Sequence, residues 1–141
     1  MQKSRRAIYL VFLDANIPMY LIGGDHPNKI AAGRMVNQFI DEGERLVTDA
    51  EVFQEILHRY TAIHRKEFIE PAFAILRKII DEVFPVDLTT VELARSILGK
   101  TTGVSARDAI HVASMEVHKV SRIASFDSGF DRIPRIERIF N

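Results

Sequence analysis

The run Tyr9–Leu13, YLVFL, constrains the fold of this chain more than any other feature. Five apolar or aromatic residues in succession leave no polar face for water, so a strand made of them must be covered on both sides, as in a parallel sheet flanked by helices. The run stops at Asp14 and Asn16. A carboxylate and an amide at the end of a core strand call for a reason other than packing.

The rest of the chain has the same alternating character. Runs of strand type at Ile8–Leu13, Arg45–Val47, Phe84–Asp87, Arg122–Ser125 and Arg135–Ile139 are separated by segments of helical period at Ile30–Phe39, Ala50–His64, Glu67–Val83, Thr89–Leu98 and Ser105–His118. A further short helix is expected from about Ile17, with Pro18 in its first turn. Pro27 and Asn28 mark one helix start, Gly99 a stop, and Ser105 with Asp108 forms a capping-box pattern. Strands alternating with helices give an α/β fold with a mainly parallel sheet. With 141 residues and no repeat or linker, one domain over 1–141 is expected.

The absence of cysteine excludes disulfides and thiolate metal sites. No apolar stretch approaches the roughly 20 residues a membrane helix needs. The basic MQKSRR start leads into an apolar segment cut short at Asp14, a poor secretory signal, so a cytoplasmic location is expected. Nineteen basic and nineteen acidic residues cancel, leaving no net-charge footprint of nucleic acid. Four carboxylates neutralised together in one site would nevertheless leave the remaining surface net basic.

Ligands of an open parallel sheet bind beyond the carboxyl ends of its strands. Asp14 lies at the end of the first strand, Glu55 on the second turn of the helix after the second, Asp108 in the first turn of the helix before the fourth, and Asp127 just after the fourth. Each has a plain structural alternative. Asp14 could cap the next helix, Glu55 could be solvated, Asp108 could belong to the capping box, and Asp127 could serve turn chemistry. As a set they could converge on one sheet edge. Crowded carboxylates repel and usually imply a bound cation, and an all-oxygen donor set suits Mg²⁺ or Mn²⁺. Mg²⁺ in turn favours a phosphate ester as substrate. The five histidines show no metal-ligand spacing. His111, on the same helix face as Asp108, reads as a core or supporting residue, and no chemistry is assigned to the histidines.

LDAN after a hydrophobic strand, VTDAEVFQEIL, ARDAIHVASM and IASFDSGFDRI follow in an order that resembles PIN-domain nucleases, in particular single-domain toxin ribonucleases of VapC type. The resemblance implies a three-layer α/β/α fold, a Mg²⁺- or Mn²⁺-binding acid cluster and endonucleolytic cleavage of RNA. Its four acids fall on Asp14, Glu55, Asp108 and Asp127, with Asn16, Ser125 and Thr48 in support. Glu51 could replace Glu55, Asp131 could replace Asp127, and one or two ions remain open. Arg107 and Arg132 are candidate RNA contacts, with Arg135 and Arg138 near them in sequence. The resemblance also implies a cognate antitoxin and a homodimer, for which Ile17, Met19, Tyr20 and Leu21 offer apolar surface, although core packing would account for them too. A catalytically inactive PIN-like module that binds RNA or protein is the alternative, and a phosphoacceptor or phosphatase domain is a weaker rival for want of a second acid beside Asp14.

Overall fold

The computed structural model describes residues 9–141. Five strands, β1 (Leu10–Leu13), β2 (Arg45–Asp49), β3 (Glu82–Phe84), β4 (Arg122–Ala124) and β5 (Glu137–Ile139), form one sheet of order β3-β2-β1-β4-β5. Every pairing is parallel. The helices are α1 (Asn16–Ile22), α2 (Pro27–Asp41), α3 (Ala50–Ala62), α4 (Ile69–Ile79), α5 (Leu88–Lys100) and α6 (Ala106–Val117), with 3-10 turns at Lys66–Phe68 and Ser128–Arg132.

Val11, Phe12 and Leu13 are all wholly buried, although consecutive strand side chains point to opposite faces. The central strand is therefore covered above and below, the three-layer α/β/α arrangement its sequence demands. Withdrawing each of these side chains from water contributes roughly 2 kcal/mol. Ile8, expected to open this strand, lies outside the described residues.

The largest departures from the sequence reading lie around β3 and α5. The helix expected to run to Val83 ends at Ile79, and β3 occupies Glu82–Phe84 in place of the expected Phe84–Asp87. Pro85 has no N–H for a ladder, and Asp87 instead caps α5 by accepting the Thr90 amide at 3.0 Å. β3 is an edge strand with Val83 41% exposed, so it lacks the continuous apolar run of a central strand. Gly99 lies within α5, which continues to Lys100; the left-handed residue is Gly103, at φ +83, in the following turn.

Strand order reverses direction at β1, with β2 and β3 on one side and β4 and β5 on the other. Such a switch point leaves a crevice at the carboxyl ends of the two strands where connections diverge. Here those ends carry Asp14 and Ser125.

Candidate active site

A cleft of about 600 Å³ opens at this switch point, and Asp14, Glu55, Asp108 and Asp127 all line it. β1 delivers Asp14, whose amide continues the sheet by donating to the Ala124 carbonyl at 3.1 Å. Its carboxylate is fixed on both oxygens. Oδ1 accepts the Ala15 amide at 2.8 Å and Oδ2 accepts the Ser125 hydroxyl at 2.6 Å. Ser125 Oγ also accepts the Asp127 amide at 3.0 Å, so one hydroxyl couples the end of β1 to the loop bearing the fourth acid. Asn16 donates to Ser125 Oγ at 3.3 Å and to Asp14 Oδ2 at 3.4 Å, while its Oδ1 accepts the Phe126 amide at 3.4 Å. Thr48 does not reach the cleft lining. Its hydroxyl donates to the Leu13 carbonyl at 2.8 Å and clamps the backbone immediately before Asp14.

The alternative acids are held elsewhere. Glu51 accepts from Arg107 Nε at 3.2 Å, a bond tying α3 to α6. Asp131 accepts from Arg138 at 2.9 and 3.0 Å, and Arg138 also donates to the Ser125 carbonyl. Neither acid lines the cleft, nor do Arg107 and Arg132. The Arg132 guanidinium lies over Gly103, where an added Cβ would come within 2.9 Å of it. Arg59, one turn beyond Glu55 on α3, is the arginine that lines the cleft. Ile17 is wholly buried, and Met19, Tyr20 and Leu21 pack partly against the core.

Asp108 enters from the first turn of α6, where Ser105 accepts its amide at 3.1 Å. Burial, then the nearby charges of Asp14 and Asp127, push the Asp108 carboxyl up to about 7. Burial also raises Asp14 above the ordinary carboxylate range, against the opposing pull of His111. Asp127 Oδ1 accepts the Gly129 amide at 2.8 Å; a Cβ on Gly129 would stand 3.1 Å from that oxygen and 3.8 Å from Asp108 Oδ2, so glycine leaves this side open to the acids.

Beneath the acids lies a pair that the sequence reading did not assign. Asp49 and His111 are both completely buried. Nδ1 of His111 donates to Asp49 Oδ2 at 2.9 Å, and Nε2 faces Glu55 Oε1 at 3.4 Å and Asp14 Oδ1 at 3.9 Å. Asp49 also caps α3, accepting the Val52 amide at 2.9 Å. Burial opposes charge on His111, but Asp49, Glu55 and Asp14 outweigh it and raise the imidazole well above its ordinary range. The sequence signals were Asp49 at a strand–helix junction and His111 three residues beyond Asp108. Only the fold shows that they meet.

Asp14, Glu55 and His111 each offer a ligand atom, all within 4.8 Å of one another. The Asp14 and Asp108 carboxyls, raised by burial and then by neighbouring acids, and a histidine nitrogen aimed at Asp14 and Glu55 fit a bound cation, whose charge would offset both effects.

A parallel sheet with an acid at its central switch point and three more from α3, α6 and the β4 loop defines a PIN domain. The PIN domain profile matches residues 11–136, and the chain belongs to that family. Over 130 residues it is 51% identical to Ribonuclease VapC13 of Mycobacterium tuberculosis, spanning 92% of this chain and 99% of the relative. Ribonuclease VapC23 of the same organism is 34% identical over 118 residues, 84% of this chain and 93% of that one. Among solved structures, M. tuberculosis VapC20, described as a Sarcin-Ricin loop cleaving toxin, superposes with a TM-score of 0.71 at 19% identity, covering 86% of this chain and 92% of the other. VapBC2 of Rickettsia felis, bound to a DNA fragment from its promoter, gives 0.70 at 15% identity, covering 92% and 97%.

Proposed function

We propose that this chain is a single-domain, divalent-metal-dependent endoribonuclease that hydrolyses RNA phosphodiester bonds, the toxin of a toxin–antitoxin pair. The observation that carries the reading is that four acids from four separate elements line one cleft. Identity to VapC ribonucleases over nearly the whole chain supports RNA as substrate. A solved relative described as a toxin–antitoxin complex supports a cognate antitoxin. The reading includes a homodimer acting in the cytoplasm. Among the described residues no helix is long and apolar enough to cross a membrane.

Asp14, Glu55, Asp108 and Asp127 would hold Mg²⁺ or Mn²⁺. When bound, the ion supplies Lewis acidity toward the scissile phosphate and makes an attacking water more acidic. The chain itself provides orientation. Ser125 and the Ala15 amide fix the Asp14 carboxylate, and Asn16 keeps the Phe126–Asp127 loop against it. Arg59 is placed to receive a phosphate oxygen at the cleft wall. Asp14→Asn and Asp108→Asn, each nearly isosteric, should abolish Mg²⁺-dependent cleavage of RNA while leaving the circular dichroism spectrum native. Undiminished cleavage by both variants would remove the mechanism.

A further inference from the structure

We infer that His111 is itself a metal ligand, so that one cation position in the cleft has mixed nitrogen and oxygen donors and prefers Mn²⁺ to Mg²⁺. This rests on reading the acid cluster as a metal centre, and adds a donor that the four-acid set lacks.

The argument begins with the tautomer. Asp49 is completely buried and accepts a hydrogen bond from Nδ1–H of His111. That bond turns Nε2 toward the cleft side, where its two near neighbours are the oxygens of Glu55 and Asp14. In this tautomer the Nε2 lone pair points to the place where the Glu55 and Asp14 oxygens converge, and all three atoms lie within 4.8 Å of one another. A cation bound there would be held by the nitrogen and the two carboxylates.

Geometry favours a shared ion. Around an octahedral ion with bonds of about 2.1 Å, adjacent donors lie about 3 Å apart and opposite donors about 4.2 Å apart. Nε2 stands 3.4 Å from Glu55 and 3.9 Å from Asp14, and with all three atoms within 4.8 Å of one another small side-chain adjustments would close them on one ion. A metal-bound histidine whose other nitrogen donates to a carboxylate is a recurrent arrangement, because the carboxylate fixes the ring and raises its basicity. Asp49 is held for that role by the Val52 amide at the start of α3, the helix that also carries Glu55.

The remaining acids divide from this group. Asp108 and Asp127 both border the open side of Gly129, where an added Cβ would lie 3.8 Å from the one and 3.1 Å from the other. The half containing Asp108 and Asp127 has oxygen donors alone, which suits Mg²⁺, whereas an imidazole nitrogen shifts preference toward a transition-metal ion.

Pulsed electron paramagnetic resonance of the full chain loaded with Mn²⁺ tests this directly. Wild-type protein should show coupling of a bound ¹⁴N, replaced by ¹⁵N coupling when histidine alone is ¹⁵N-labelled; neither measurement requires a substitution. His111→Gln should lose the nitrogen signal while oxygen donors still retain Mn²⁺ at about tenfold weaker affinity, with Mg²⁺ affinity changing less. Asp49→Asn should weaken Mn²⁺ binding about tenfold, with nitrogen coupling retained. His26→Gln, another histidine lining the cleft, should leave the signal intact. Mn²⁺ bound without nitrogen coupling, or a coupling lost in His26→Gln and retained in His111→Gln, would overturn ligation by His111 while leaving the acid centre standing. Failure of Mn²⁺ to bind wild-type protein at all would overturn both.

Discussion

Asp108→Asn should make the metal-free protein more stable, and only above the pH at which an unperturbed aspartate ionises. In the fold its carboxyl titrates at about 7, against 3.8 for an unperturbed aspartate, because of burial and the charges of Asp14 and Asp127. Between those values the folded chain holds a proton that the unfolded chain has released. Stability from this group is thus highest below pH 3.8, falls as pH rises toward 7, and levels off above it. At 1.36 kcal/mol per tenfold change, a carboxyl wholly withdrawn from water would lose about 4 kcal/mol over this window. Asp108 borders an open cleft, and solvent screening reduces the expected loss to about 2 kcal/mol. The asparagine amide introduced by the substitution carries no charge and escapes it. Thermal unfolding followed by circular dichroism in EDTA should show the variant melting roughly 6 °C above wild type at pH 8, with little difference near pH 4. Added Mn²⁺ should stabilise wild type and so narrow or reverse the gap. A variant no more stable than wild type at pH 8, or a gain that does not change with pH, would refute the cost of ionising Asp108 in its buried, acid-lined place.

Other substitutions probe the supports. Ser125→Ala removes the hydroxyl shared by Asp14 and the Asp127 amide, and should cost about 1–2 kcal/mol in urea unfolding as well as reducing RNA cleavage. Thr48→Val keeps the shape but leaves the Leu13 carbonyl without its hydroxyl partner, with an expected cost of about 1–2 kcal/mol. Gly103→Ala meets both a left-handed φ and the Arg132 guanidinium, and should lower stability by about 1–2 kcal/mol without changing metal affinity measured by calorimetry. Arg107→Gln breaks a half-exposed pair with Glu51; a loss below about 1 kcal/mol with near-normal RNA affinity would assign Arg107 to joining α3 and α6, whereas a reduced salt dependence of binding would assign it to RNA.

The central strand was legible because its burial on both faces is written in consecutive residues, Val11 to Leu13, and because Asp14 breaks the run. Helix starts at Asp87 and Ser105 follow from side chains that satisfy free amides, although Asp87 looked like the end of a strand until Pro85 and the Thr90 amide fixed its role. β3 was misplaced because an edge strand carries little hydrophobic pattern. Within the cleft, each acid was visible as an acid at a strand end or in a helix turn, and the sheet order brings the four together. What local pattern could not convey was distance across the sequence. Asp49 and His111 lie 62 positions apart and meet only once β2 and α6 are packed. Arg107 likewise looked free until α3 presented Glu51 to it.

The order in which strands join the sheet also bears on when the acid cleft is completed. Asp14 and Glu55 are synthesised early, but β4, the neighbour that closes the other flank of β1, comes after β2, β3 and all of the helices. A nascent chain extending only through α5 has half its acids and neither Asp108 nor Ser125. The proposed cleavage site is therefore complete only late in translation, after the ribosome has made most of the polypeptide, and a fragment ending at Lys100 should fail to cut RNA even when supplied with Mn²⁺.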